Sequence, residues 1–257
     1  MFRIIKREEL AKSIKRIVVE APLVAFNAKA GQFVMLMVES QGERIPLTIA
    51  DSDKVKGFIT LIFQEVGYTT KRLGQLNEGE SIFGILGPLG KATHLEKFGT
   101  VICIGGGVGI AEIYPVSKAY KQFGNKVISI IGTRSKDLLI LEDDMKNVCD
   151  ELFITTDDGS YVRQGFVTDV LKEILDKDAN LKGNTIVYAI GPVPMMAKVA
   201  EVTKSYNIKT IANLNPLMVD ATGMCGSCRV TVSGETKFGC VDGPEFDAHE
   251  VDFKELM

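Results

Sequence analysis

The 257-residue chain reads as a β plus α/β protein: a small antiparallel barrel, a parallel α/β domain, and a C-terminal hairpin loop bearing cysteines. Three observations predict this. Short strand-type runs fill the first ninety-odd residues, punctuated by Pro, Gly, Asn and Asp. From Thr100 strand and helix runs alternate, with a glycine-rich turn after the first strand. Finally, Cys225, Cys228 and Cys240 lie close together near the end of the chain. The implied boundaries are 1–97, 98–213 and 214–257.

In the barrel the runs are Ile14 to Glu20, Gly31 to Val38, Ile45 to Ile49 and Phe58 to Gln64. Thr69 to Leu76 has the cap and composition of a short helix. Gly67-Tyr-Thr-Thr70 before it offers N–H groups and hydroxyls that suit a phosphate, though a turn and a capped helix explain it equally. Arg44-Ile-Pro46-Leu47-Thr48 offers a cation, a rigid backbone and a hydroxyl; a lone Arg on a strand is also an ordinary solvated residue.

In the second domain Val101 to Ile104 is a buried-type strand, and Gly105-Gly106-Gly107-Val108-Gly109 leads into a helix. Such glycines permit close backbone approach to a pyrophosphate at a helix N-terminus. Lys126 to Ile131 and Glu151 to Thr156 are further strands, and Leu139 to Val148 and Val167 to Leu175 are helical. Thr185 to Ile190 passes through Gly191-Pro192 into a helix beginning near Pro194. Pro115 bends the first helix or marks its opening turn. The motif departs from G-x-G-x-x-G at Ile110, and no acidic ribose-binding residue follows the second strand. Gly132-Thr133-Arg134-Ser-Lys136 stands there instead, which leaves NAD and NADP both open.

At the C-terminus the plant-type [2Fe–2S] spacing C-x4-C-x2-C…C is kept, with Asp220 at the first position. A carboxylate binds iron, so Asp220, Cys225, Cys228 and Cys240 make four ligands. Arg229 to Val232 and Glu235 to Phe238 read as hairpin arms turning at Ser233-Gly234, returning Cys240 to the pair. The competing readings are structural zinc, a disulfide and chance buried thiols.

Composition sets the outer limits. Hydrophobic residues at 46% and charged residues at 25% describe a globular protein, and a net charge of −3 gives no reason to expect nucleic acid or an acidic membrane as partner. No apolar run approaches the roughly 18 residues of a membrane span, and the first residues lack a signal-peptide core. With Cys103 and Cys149 far apart and expected to be buried, a cytoplasmic location is the expectation. The two histidines, His94 and His249, read as surface residues, and no nucleophile elbow is present. Any chemistry therefore belongs to cofactors.

The order of these parts resembles the ferredoxin–NADP reductase superfamily. Within it the chain is similar to the branch holding dihydroorotate dehydrogenase electron-transfer subunits and small subunits of NADH-dependent ferredoxin:NADP oxidoreductase, the latter also known as sulfide dehydrogenase subunits. Asn215-Pro-Leu-Met-Val-Asp220 through Cys228, and Cys240-Val-Asp-Gly-Pro-Glu-Phe-Asp247, carry most of that resemblance, and Asp220 in place of Cys favours the second relative.

The resemblance implies FAD on the barrel, a [2Fe–2S] cluster and an NAD(H) site. It also implies a larger flavin and iron–sulfur subunit forming a heterodimer, through which ferredoxin and NADP(H) are reached by electron bifurcation. By position, Arg44, Pro46, Leu47, Thr48, Ile62, Phe63 and Gln64 would line FAD, with Gly67, Thr69 and Thr70 at its pyrophosphate. Gly105 to Gly109, Gly132, Thr133, Arg134, Gly191 and Pro192 would line the nicotinamide nucleotide. Many relatives place the flavin Arg three residues before the Ser/Thr, where Ile45 stands here, and a one-residue slip on a strand reverses the face. The alternatives are an electron-transfer subunit of dihydroorotate dehydrogenase, a hydrogenase or a sulfur reductase, and a non-catalytic zinc module.

Overall fold

The computed structural model describes residues 1–177, 181 and 183–257. Rows of buried aliphatic side chains organise the barrel. Ile17 and Val19 of β2 (Ile14–Glu20) stand opposite Leu61 and Ile59 of β5 (Phe58–Gln64). All four are fully buried, each worth roughly 1.5–3 kcal/mol for leaving water. With β1 (Phe2–Ala11), β3 (Phe33–Met37), β4 (Arg44–Asp53), β6 (Ser81–Ile82) and β7 (Gly84–Leu89), they form an antiparallel sheet of order β6-β1-β2-β5-β4-β3-β7. Its end strands, β6 and β7, are separated in the chain by Phe83 alone, so the sheet curls into a nearly closed barrel. β1 fully buries only Ile4 and carries Lys6, Arg7, Glu8 and Glu9, which masks apolar alternation in it. The short helix α1 (Pro22–Asn27) was also unexpected, while α2 (Tyr68–Gln75) lies one residue from its expected span.

The second sheet has the order β10-β9-β8-β11-β12-β15. β8 (Thr100–Gly106), β9 (Lys126–Thr133), β10 (Glu151–Thr156), β11 (Thr185–Ile190) and β12 (Thr210–Asn213) are parallel, and β15 (Glu245–Asp247) is an antiparallel edge. Helix α5 (Val167–Lys177) and α6 (Val193–Ser205) contribute Val170, Leu171, Val199 and Val202 to the same apolar core as Ile102, Ile130 and Val187 of the sheet. Pro115 lies inside α3 (Gly109–Gln122), not at its opening turn. The helix expected from Leu139 begins only at Glu142, as α4 (Glu142–Val148), because Leu141 takes a left-handed φ of 57° and Lys136–Leu138 form a separate 3-10 turn. β12 and β15, of four and three residues, are too short to show periodicity.

The expectation that both histidines are surface residues needs correction. His94 is exposed, but His249 is half-buried with Nε2 2.9 Å from Thr203 Oγ1. Cys103 is buried and Cys149 half-buried.

The chain divides into two compact units. One comprises Met1–Thr93, Asn215–Arg229 and Phe238–Pro244; the other His94–Leu214, Val230–Lys237 and Glu245–Met257. The stretch 214–257 is thus shared between them. Among the described residues no helix is long and apolar enough to cross a membrane.

Candidate functional site

β13 (Arg229–Val232) and β14 (Glu235–Phe238) pair as the expected hairpin. Ser233 and Gly234 have φ of 52° and 75°, the two positive values of a type I′ turn, whose twist matches that of its strands. The return brings Cys240 Sγ to 3.3 Å from Cys228 Sγ, and Gly239 N–H donates to the Cys228 carbonyl at 2.9 Å. Both thiols are buried and free. Burial, then the neighbouring Cys228, pushes the Cys240 thiol up to about 11.

Cys225 is exposed, and its sulfur lies 3.2 Å from Ser227 Oγ, whose hydroxyl holds the thiol below its ordinary value. The Asp220 carboxylate accepts from the N–H groups of Thr222 at 2.8 Å and Cys225 at 3.1 Å. The Thr222 bond in particular keeps it below the usual carboxylate range. Asp220 and Cys225 are thereby tied together, as Cys228 and Cys240 are. Among the described residues no three His, Cys, Asp or Glu side chains form a ready cage for one ion. Two ligand pairs match in number what a two-iron centre takes, two protein ligands per iron.

The barrel carries this segment. Phe33 and Met35 of β3 pack in one buried apolar cluster with Met218, Ala221, Cys228 and Cys240. β3 and β4 pair without a slip, Phe33 opposite Thr48, Met35 opposite Pro46 and Met37 opposite Arg44. Directly opposed residues share a face, so Arg44, Pro46 and Thr48 lie on the face that carries the cysteines. Ile45 and Leu47 turn to the barrel core beside Ile49. Arg44 therefore shares the face of Thr48 although it stands one residue from the position usual in the relatives. Phe63 is buried in the barrel core, and Ile62 and Gln64 alternate to the opposite face.

At the start of α2 the hydroxyl of Thr70 is used locally. It accepts from Gly67 N–H at 3.0 Å and donates to the Gly67 carbonyl at 3.1 Å. The Thr69 hydroxyl donates to Glu43 Oε2 at 3.2 Å, so a carboxylate sits at the turn expected to take a phosphate.

In the second unit the glycines gather at the C-terminal ends of neighbouring parallel strands, where open α/β sheets bind ligands. Gly105 and Gly106 end β8 and Gly107 follows it, Gly132 and Thr133 end β9, and Gly191-Pro192 follow β11. Gly107 has φ +57° and donates to the Gly132 carbonyl at 2.9 Å. A Cβ on Gly109 would lie 2.6 Å from the Ile190 carbonyl oxygen, so α3, capped at Val108, comes close to β11 only with glycine there. Arg134 is exposed, while Lys136 Nζ lies 4.9 Å from the Tyr161 ring centroid. The loop after β10 folds onto this turn, Asp157 and Asp158 N–H donating to the Thr133 and Arg134 carbonyls at 3.0 and 3.2 Å. Sequence reasoning passed over that loop, although Asp157-Asp-Gly-Ser160 is a turn signal. It also passed over Phe33 and Met35, which look like ordinary strand residues.

Residues 103–201 match the oxidoreductase NAD-binding domain, and residues 215–252 match the iron–sulfur cluster binding domain of dihydroorotate dehydrogenase B. Barrel, nucleotide sheet and cysteine segment together define an electron-transfer oxidoreductase of the ferredoxin-reductase fold. A Clostridium beijerinckii protein from the adh 3′ region is 45% identical, over 100% of this chain and 88% of that one. A Thermotoga maritima homologue of the dihydroorotate dehydrogenase B (NAD+) electron-transfer subunit is 42% identical, over 99% and 88%. The chain belongs to the family of dihydroorotate dehydrogenase B electron-transfer subunits and their homologues. A solved structure of an NADH-dependent reduced ferredoxin–NADP oxidoreductase, described for flavin-based electron bifurcation, aligns at TM-score 0.93 and 41% identity, covering 100% of this chain and 91% of that one. Phthalate dioxygenase reductase, at 15% identity and TM-score 0.65, shares the fold.

Proposed function

We propose that this chain is the small subunit of an electron-bifurcating, NADH-dependent ferredoxin:NADP+ oxidoreductase. One observation carries the reading: the β4 face bearing Arg44, Pro46 and Thr48 is continuous with the face on which Phe33 and Met35 seat the cysteine segment. A flavin along β4 and an iron pair at the cysteines would then share one rigid sheet, which favours electron transfer between them.

The bound groups supply hydride exchange at a flavin and one-electron transfer at a [2Fe–2S] centre. In this reading Asp220 and Cys225 would hold one iron, and Cys228 and Cys240 the other. Thr48 and the backbone of Pro46-Leu47 position the flavin ring, and the N–H groups opening α2 face its pyrophosphate. Gly105 to Gly109, Gly132 to Arg134 and Gly191-Pro192 admit NAD(H) to the strand ends. Three domains at 1–97, 98–213 and 214–257 remain the functional division proposed.

A larger flavin and iron–sulfur subunit, giving access to ferredoxin and NADP(H), belongs to the same proposal. The exposed Leu217, Val219, Met224 and Val241 of the cysteine segment support a partner there, since apolar side chains are costly to leave in water. The names of the relatives support a second reading, an electron-transfer subunit of dihydroorotate dehydrogenase; Asp220 at the first ligand position favours the first.

Anaerobic purification from the native cell, together with any larger subunit that co-purifies, tests the proposal. It requires FAD and two irons per small chain, and NADP+ reduction that depends on NADH and reduced ferredoxin together. Dihydroorotate-dependent NAD+ reduction instead selects the second reading, and a colourless, iron-free chain rejects both.

A further inference from the structure

Beneath the C-terminal end of α2 lies a charged cluster outside the site described above. Lys15 continues the inward row of Ile17 and Val19 on β2, opposite Phe63. Its side chain is 8% exposed, with Nζ 3.2 Å from Glu9 and 3.5 Å from Glu65. Glu65 directly follows β5, and its carboxylate lies under Gly74 of α2, where an added Cβ would stand 1.8 Å from Oε1 and 2.7 Å from Cδ. From β1, Arg7 donates to the Gly74 carbonyl through Nε at 3.2 Å and Nη2 at 2.9 Å.

We propose that Lys15, Glu65 and Gly74 form a positioning lock that fixes the tilt of α2 against β5 and so sets the affinity of the barrel for its flavin nucleotide. The inference rests on the flavin reading above and deepens it.

Only Glu65 and Val66 separate the end of β5 from the Gly67 cap of α2. The direction of the first helical N–H groups therefore follows the tilt of the helix. A carboxylate at an open surface would swing aside to admit a methyl group at Gly74. Here, swinging aside gives up the less exposed of the two carboxylates and leaves a nearly buried ammonium to Glu9, whose side chain is 60% exposed; breaking a partly buried ion pair is costly. The helix yields instead of the ion pair. Arg7 holds the same end, where a cation suits the exposed carbonyls of a helix C-terminus. These residues are positioning residues, since they act on the nucleotide only through α2.

The test uses the full-length chain, stripped of flavin and titrated with FAD by fluorescence, in wild type, Gly74→Ala, Lys15→Met and the double variant Lys15→Met/Glu65→Gln. The lock predicts at least tenfold weaker FAD binding in both single variants, with altered visible circular dichroism of the bound flavin and unchanged iron content. It predicts substantial recovery in the double variant, which leaves Glu65 uncharged beside the methionine. FAD affinity within twofold of wild type in both single variants overturns it. So does a loss of FAD matched by equal losses of iron and melting temperature, which marks general unfolding. If wild type itself binds no FAD, the flavin reading fails and the lock with it; wild-type binding with unaffected variants sinks the lock alone.

Discussion

Phe33 and Thr48 face one another across β3 and β4, and the Phe33 side chain packs in the same buried cluster as Cys228 and Cys240. One cross-strand pair thus joins the strand assigned to the flavin to the segment assigned to iron. Phe33→Ala removes a ring that is 4% exposed and should cost about 3–5 kcal/mol. We expect a lower melting temperature in calorimetry and less than half the iron retained, with NADH binding unaffected.

Asp220 has two tasks, accepting from the Thr222 and Cys225 N–H groups and serving as a proposed ligand. Asp220→Cys should keep a [2Fe–2S] centre by electron paramagnetic resonance but shift its midpoint potential, since ligand type is a lever on it. Asp220→Ala should lose the centre. A Cys variant titrating at the wild-type potential would remove the tuning role.

Gly109 meets a backbone carbonyl, which cannot turn aside as a side chain can. Gly109→Ala should push α3 away from β11 and weaken NADH binding by tenfold or more, while flavin and iron contents stay at wild-type levels. Equilibrium titration with NADH checks this, and an unchanged affinity would separate the glycine turn from the nucleotide.

Glu43 holds the Thr69 hydroxyl where a pyrophosphate is proposed. Glu43→Gln should tighten FAD binding by about 1.4- to fivefold, the range of an exposed charge interaction worth roughly 0.2–1 kcal/mol. The gain should shrink in 1 M salt, where the screening length falls to about 3 Å.

Burial pushes the Cys103 thiol up to about 12 from an ordinary 9.0. Between those values the unfolded chain has released the proton and the folded chain keeps it, so stability falls as pH rises through that window. Below pH 9 the thiol is protonated in both states and its contribution is complete. The loss approaches the order of 4 kcal/mol near pH 12, at 1.36 kcal/mol per unit. Cys103→Ala should flatten the alkaline limb of the urea-midpoint profile, and an unaltered limb would assign it to other groups.

Much of this molecule was legible residue by residue. Alternating strands, glycines after a strand and Ser233-Gly234 between two arms are local signals, because period, φ and turn type depend on neighbours in the chain. The spacing of Asp220, Cys225, Cys228 and Cys240 was equally local. What the chain alone left undecided were relations across sequence distance. Lys15 looks like a surface lysine until Glu9 and Glu65 close on it, and Phe33 like any strand residue until it meets Met218 and two cysteines. Whether Arg44 shares the face of Thr48 was settled by the unslipped register of β3 on β4. Leu141 delayed the start of the expected helix through a backbone conformation that composition does not announce. The sequence by itself determined the order of parts and the chemistry they carry. Only the tertiary structure decided which distant side chains meet, because burial and pairing between strands are properties of the packed chain.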